Sequence, residues 1–311
     1  MKKNILNIIA LSLLLTACGN EEVEKDVKVI CPTGAPSVAF YNHYDDPNFE
    51  TNSVPSNIVS FMSETSPYDV VIIDTVSGLK AIAKGAPYKI HSSITFGNFF
   101  IASTGHDENG VMEPGDKIVL FGKNQTPDLV FHNIYGDDYD SSIEYVTAVS
   151  DAAGCLASGK NVATGSDIDY VFVAQPVLFA TLNNANAPTH GKASVYANIQ
   201  NLYKDKNDNN ELIQASVFVK NGSNCEAFLS SLKEDINNVV TNPNLISEKL
   251  GDKEDDVVKA KYGIGANVMK AVLNNGNGLG LGFKEAKTNK TAINKFISLF
   301  GLEVISDDVI A

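Results

Sequence analysis

From residue 27 onward, apolar and polar positions fall into short alternating blocks. Residues 27–30 (Val-Lys-Val-Ile) read as a buried strand, and residues 32–37 (Pro-Thr-Gly-Ala-Pro-Ser) as a turn. Val38-Ala39-Phe40-Tyr41 opens a helix, and residues 57–63 predict a second one. Residues 69–73 form a core strand that opens on Asp69. Residues 76–83 form a helix that stops at Gly85. Further strands are expected over 89–94 and 99–103. This alternation predicts an α/β architecture with a largely parallel sheet.

The pattern then restarts. Residues 116–121 predict a strand, followed by a Gly/Asn turn and a helix from Thr126-Pro127. Pro36-Ser37-Val38-Ala39-Phe40-Tyr41-Asn42 and Pro127-Asp128-Leu129-Val130-Phe131-His132-Asn133 both place proline at a first helical position, where its missing N–H is harmless. Residues 68–75 and 168–175 form a second pair: an acid, an apolar strand, then a polar pair before a helix. Two ordered echoes at similar offsets favour two related α/β lobes. Residues 213–219 read as one more strand. After Asn224 the pattern is helical, with amphipathic stretches over 226–240 and 291–300 that return to cover the first lobe. Crossings between lobes are expected near 100–104 and 214–219.

The chain has 311 residues, long for one core and comfortable for two domains. Its formal charge is −13, without a basic run, which argues against nucleic acid as a partner. The N-terminus carries Lys2-Lys3, then an apolar stretch over 5–15, then Leu15-Thr16-Ala17-Cys18. That is the pattern of a secretory signal, and its ending resembles the bacterial lipobox. The resemblance implies cleavage after Ala17, acylation of Cys18 and a lipid anchor at the outer face of a membrane. The apolar stretch is shorter than the roughly 20 residues that span a bilayer. The acidic run over 19–26 reads as a tether. Apart from Cys18, three cysteines remain (Cys31, Cys155, Cys225), an odd number that makes a poor disulfide framework. Cys31 and Cys155 sit among apolar or small neighbours and read as buried small side chains.

At this point several segments resemble solute-binding proteins of the nitrate/sulfonate/taurine type of ABC importer. They are the lipobox, the strand ending in Pro32-Thr33-Gly34-Ala35-Pro36-Ser37, and Lys84-Gly85-Ala86-Pro87-Tyr88-Lys89 followed by residues 95–101. Leu156-Ala157-Ser158-Gly159-Lys160, leading to residues 169–176, belongs with them. The resemblance implies a two-lobed type II periplasmic-binding-protein fold: two doubly wound mixed sheets joined by two crossing strands. It divides the chain into a signal peptide (1–17), a lipid-anchored tether (18–26), lobe 1 (27–103 plus 219–311) and lobe 2 (104–218). It implies a small-molecule solute held between the lobes, an ABC permease with its ATPase as partners, and a monomer. No catalytic residue, metal ligand set or cofactor is expected.

Ligands in open α/β sheets bind beyond the carboxyl ends of strands. That rule places Thr33, Gly34, Ala35 and Ser37 at the cleft, where backbone N–H groups at a helix start suit an anion or an acceptor. Thr126, with the turn 122–125, offers the same from the other lobe. Asp74 and Thr75 end the third strand; Asp74 reads equally as a helix N-cap, and if it faces the cleft it favours a ligand with donors. Asn98 both donates and accepts. Phe99 stacks on a planar ligand or packs in the core. Gln175 mirrors Thr75, and Ser150 is expected to cap the helix after 143–149. None of these segments contains arginine, which weighs against a sulfonate or nitrate ligand.

Two motif-like stretches carry no such chemistry. Residues 154–160 follow most of a phosphate-loop pattern but end a helix, so Gly159 reads as a C-cap. Residues 276–282 follow a helix and read as a mobile glycine-rich loop. The five histidines lack metal-ligand spacing. The competing functions are an enzyme on the same fold, of dehydratase or pyrimidine-precursor type, and a ligand sensor for a surface signalling system.

Overall fold

The computed structural model describes residues 26–107 and 110–311. The expected signal peptide, Cys18 and nearly all of the expected tether lie outside these described residues. Along the first half the elements are β1 (Val29–Pro32), α1 (Ala35–Val38), β2 (Phe49–Asn52), α2 (Pro55–Val59), β3 (Val70–Asp74), α3 (Thr75–Ala83), β4 (Tyr88–Thr95) and β5 (Phe99–Ser103). Then come β6 (Ile118–Phe121), α4 (Thr126–Tyr135), β7 (Ile143–Val146), α5 (Val149–Ser158), β8 (Tyr170–Ala174), α6 (Val177–Leu182), β9 (Ser194–Asn198) and α7 (Ile199–Lys206). The chain closes with β10 (Ala215–Lys220), α8 (Glu226–Thr241), α9 (Asn244–Leu250), α10 (Asp255–Tyr262), α11 (Ala266–Asn274), β11 (Leu281–Glu285) and α12 (Ala286–Ser298).

These strands make two mixed sheets, ordered β11-β4-β10-β3-β1-β2 and β7-β6-β8-β5-β9. In the first, β2, β1 and β3 are parallel and β10 runs antiparallel beside β3. In the second, β7, β6 and β8 are parallel and β5 runs antiparallel beside β8. The order of the second sheet therefore repeats five strands of the first. The two sequence echoes fall on equivalent elements, β1–α1 against β6–α4 and β3–α3 against β8–α6. The acids that open β3 and β8 have the same task in both. Asp69 accepts the Lys28 N–H at 3.2 Å, and Asp169 accepts the Lys117 N–H at 2.9 Å. Each carboxylate ties its strand to the start of its parallel neighbour.

Alternate residues of the first sheet feed two different packing layers, as a period of two requires. Val29, Cys31, Val70, Ile72 and Val217 pack under Leu232, Ile236, Ile246, Val258 and Met269 from α8 to α11. Ile30, Val71 and Ile73 pack against Ile58, Val76, Leu79 and Phe296 from α2, α3 and α12. The C-terminal helices thus cover the first sheet, as their apolar stripes predict. Cys31 and Cys155 are buried core residues whose thiols are pushed up by that burial, which disfavours a nucleophilic role. Gly159 is the left-handed C-cap of α5. Among the described residues no helix is long and apolar enough to cross a membrane.

Four expectations need correction. Residues 38–41 do not start an α-helix; α1 is a single turn, Ala35–Val38, that ends where that helix is expected to begin. The exchange between sheets also lies earlier in the chain than 100–104 and 214–219. Strand β5 pairs in the second sheet and β10 in the first, so the chain crosses at residues 96–98 and 207–214. The lobe boundaries drawn at residues 103 and 218 shift accordingly, because each crossing strand is equally apolar whichever sheet it joins. Residues 276–282 are not simply a loop. They lead into the edge strand β11, which pairs antiparallel with β4. Gly280 holds φ 63° and packs so closely that a Cβ there would lie 2.7 Å from the Gly97 carbonyl oxygen. The glycine permits a close approach of two backbones.

Candidate functional site

The carboxyl ends of β1, β3 and β6 converge where the two crossings run side by side. A cavity of about 210 Å³ lies there, lined by Pro32, Thr33, Asp74, Asn98, Phe99, Thr126 and Gln214 among others. A wider cavity of about 770 Å³ adjoins it at Asp74, Phe99 and Thr126. It continues past Val59, Val76, Lys80, Phe121, Asn124, Gln125 and Phe300. Both cavities draw their walls from both sheets, and the larger has the volume of a small-molecule site. A further depression of about 550 Å³ beside α3, around Met62, Lys84 and Pro87, is walled by the first lobe alone and adjoins the wider cavity at Val59, Ser77 and Lys80.

Asp74 is the junction of the site. Its Oδ1 accepts the Ser77 N–H at 2.9 Å, capping α3. Its Oδ2 accepts the hydroxyl of Thr126, the first residue of α4, at 3.4 Å. The side chain therefore both caps its helix and faces the cleft, and it spans the gap between lobes. Enclosure of this carboxylate raises its pKa, and this outweighs the lowering by the bonds from Ser77 and Thr126 and by the charge of Lys80. Phe99 lines the same space; its ring meets Phe172 at 5.3 Å and Phe121 at 6.1 Å between centroids.

Asn98 and Gln214 lock the two crossings together. Gln214 Nε2 donates to Asn98 Oδ1 at 2.7 Å, and the Asn98 N–H donates to Gln214 Oε1 at 2.9 Å. Asn98 Nδ2 donates to the Gln175 carbonyl at 2.9 Å, while Gln214 N–H donates to the Thr95 carbonyl at 3.0 Å. This paired amide clamp joins the two crossings. Gln214→Ala strips the partners from Asn98 N–H and Oδ1, a cost of about 1–3 kcal/mol for each buried group left unpaired. The expected result is a lower melting temperature and a double-mutant cycle with Asn98→Ala that departs from additivity by at least ~0.5 kcal/mol. Additive effects would mean the two amides act independently.

The remaining expected residues divide. Thr33 reaches the smaller cavity. Gly34, Ala35 and Ser37 do not, because the turn folds onto α10 instead. The Gly34 N–H donates to the Tyr262 carbonyl at 2.7 Å, and Ser37 Oγ donates to the Gly34 and Tyr262 carbonyls. Ala35 and Ser37 are buried. The expected cradle of N–H donors at residues 33–37 is thus largely consumed inside the fold, and four-residue α1 is too short to offer a useful dipole. Thr75 is fully buried, bonded to Ser216 Oγ at 2.8 Å and to the Gln214 carbonyl. Gln175 caps α6 by accepting the Phe179 N–H at 3.0 Å, and lines neither cleft cavity. Ser150 is exposed inside α5; Ala148 is the N-cap, its N–H held by Asp151 at 3.0 Å.

By sequence, no family model and no curated protein matches the chain. By structure, it is similar to an ABC transporter protein from Parabacteroides distasonis, with TM-score 0.68, 15% identity, and 91% of this chain and 94% of that one covered. It is also similar to the periplasmic aliphatic sulphonate binding protein SsuA from Escherichia coli, with TM-score 0.58, 11% identity, and 92% and 91% covered. A DSZB mutant in complex with biphenyl-2-sulfinic acid matches with TM-score 0.52, 13% identity, and 92% and 96% covered. The chain has the periplasmic-binding-protein fold. At these identities the likeness extends to architecture and not to ligand.

Several cleft residues carried no signal in the sequence. Gln214 stands at the edge of an apolar strand, where its role depends on the other crossing. Phe121 ends a strand and reads as core. Phe300 reaches the cleft from the end of the C-terminal helical region, and Lys80 lies on the ordinary polar face of α3. For Asn124 and Gln125, the turn 122–125 was the available signal.

Proposed function

We propose that this chain is an extracytoplasmic solute-binding lipoprotein that captures a small ligand between its lobes and delivers it to an ABC permease. The observation that carries this reading is the cleft itself. It lies at the strand ends of both sheets, is walled by both, and is bordered by the two crossings that the Asn98–Gln214 pair joins. Contacts from both lobes to one ligand exist only when the lobes are closed, so binding shifts the population toward the closed form. The lipobox-like Leu15-Thr16-Ala17-Cys18 supports anchoring through Cys18. A tethered binder maintains a high local concentration near its permease.

The test is a thermal-shift screen of the mature protein against amines, pyrimidines, vitamin-like compounds, sulfonates and nitrate. A ligand at 100 times its dissociation constant adds about 2.7 kcal/mol, a rise of several degrees for a chain of this size. The expected hit also shrinks the radius of gyration in small-angle scattering. A screen without a hit, and without closure by any compound, would remove the solute-binding reading.

A further inference from the structure

We propose that the cleft takes a ligand that presents a cationic nitrogen to Asp74 and an apolar or aromatic body to Phe99, Phe121 and Phe300. This rests on the solute-binding reading above and names the ligand class.

Each of the two helix starts at the cleft carries a protein carboxylate. Asp74 caps α3 through Ser77 and also accepts from Thr126 at the start of α4. Asp128, in the first turn of α4, is buried and accepts the N–H of Asn124 at 2.6 Å. A helix N-terminus attracts a ligand anion through its unpaired N–H groups and dipole. Here Asp74 takes an N–H of α3 and Asp128 puts negative charge in the first turn of α4, so an anionic ligand beside Asp74 would be repelled.

The fold does not require that carboxylate. In the repeated strand order, the residue equivalent to Asp74 is Ala174: Asp74 faces Ala215 across β10, and Ala174 faces Phe99 across β5. The second lobe takes its cap from the neutral Gln175. The charge at position 74 is thus specific to the cleft. Positive charge within the site is sparse. The chain contains no arginine. Lys80 is exposed on the wall of the wider cavity, and its charge is the smallest of the influences on the Asp74 carboxyl. Lys123 is held 5.0 Å from the centre of the Tyr145 ring. Lys80 acts on Asp74 only from a distance, so a direct counter-charge is left to the ligand. Aromatic faces also attract cations, and Phe99, Phe121 and Phe300 line the same space.

Calorimetry of the mature protein with four probes on one skeleton tests this: 2-phenylethylamine, 2-phenylethanol, 3-phenylpropanoate and 2-phenylethanesulfonate. The amine is expected to bind at least ten-fold tighter than either anion. Asp74→Asn should weaken the amine at least ten-fold and the alcohol less than three-fold. An anion that binds as tightly as the amine, or an amine affinity unchanged in Asp74→Asn, overturns the proposal; closure around the anion would leave the solute-binding reading standing. If none of the four binds, the compound released on denaturing protein purified from its producing cells decides. A basic nitrogen in that compound supports the class, and an anion or a neutral compound overturns it alone. No released compound, with no closure in spent growth medium, overturns both readings.

Discussion

Asp74→Asn is expected to raise the melting temperature of the unliganded protein while it weakens ligand capture. The two effects have one origin. Enclosure raises the pKa of Asp74 in the folded state, so the folded protein binds this proton more tightly than the unfolded chain. Stability then falls as pH rises from the ordinary aspartate value through the raised folded one, because ionisation is costlier in the fold than in the coil. Above that window the ionised carboxylate is a standing cost to the unliganded fold. Asparagine removes the charge but retains an oxygen for the Ser77 N–H, and it is as good an N-cap as aspartate. The variant should therefore melt above the parent at pH 7. The gain should vanish below the ordinary aspartate value, where both carboxyl states are protonated. Binding moves the other way. Loss of a hydrogen bond to a charged group costs about 1.5–3 kcal/mol, or roughly ten- to hundred-fold in affinity. Calorimetric melting at pH 3 and pH 7, with and without ligand, separates these effects. A variant less stable than the parent at pH 7 would make Asp74 a structural residue. The expected trade is that of a binding site that holds strain for function.

Most of the architecture was readable because local patterns repeat. The acids at Asp69 and Asp169 announced equivalent strands, and their carboxylates turn out to make equivalent bonds to Lys28 and Lys117. Fully apolar runs such as Val70-Val71-Ile72-Ile73 are what a parallel strand buried on both faces requires. The missing pieces lacked a local pattern. Strand β11 hides in a glycine-rich segment, since an edge strand needs one partner and little burial. The crossings could not be placed because β5 and β10 are equally apolar on either side of the exchange. Within the site, Asp74, Thr126 and Thr33 follow from the rule that ligands lie beyond strand ends, and Asn98 and Phe99 from their place before the first crossing strand. Gly34, Ala35 and Ser37 misled for the same reason. The rule places their backbone at the site, but the terminal residue of a helix more than two hundred positions later, Tyr262, takes up the Gly34 N–H and the Ser37 hydroxyl. Phe300 and Gln214 reach the cleft only through tertiary folding, from positions remote in the chain.

The second large effect concerns how α3 presents Asp74 to the cleft. Gly78→Ala is expected to destabilise the protein although it replaces a glycine inside a helix. On helix propensity alone, the change should stabilise by about 0.5–1 kcal/mol. Packing opposes it. A Cβ at position 78 would overlap the ring of Phe218, on β10, which is fully buried. Overpacking of this kind costs about 1–3 kcal/mol and sometimes more, and a rigid ring in the sheet cannot yield as a flexible chain end would. The steric term should dominate, with a melting temperature several degrees lower at roughly 2–4 °C per kcal/mol. The strain has one other outlet, a displacement of α3 away from β10. Such a movement would carry Asp74, the N-cap of α3, away from Thr126, so ligand affinity should fall together with stability. Phe218→Leu in the same chain removes the clash and should restore part of both, whereas Phe218→Ala alone opens a void worth about 3–5 kcal/mol. Non-additivity in the Gly78→Ala and Phe218→Leu cycle is the measurement that isolates this contact. If Gly78→Ala instead melts at or above the parent temperature with its affinity intact, Phe218 does not fix the seat of α3, and the position of Asp74 is set by the Asn98–Gln214 pair alone.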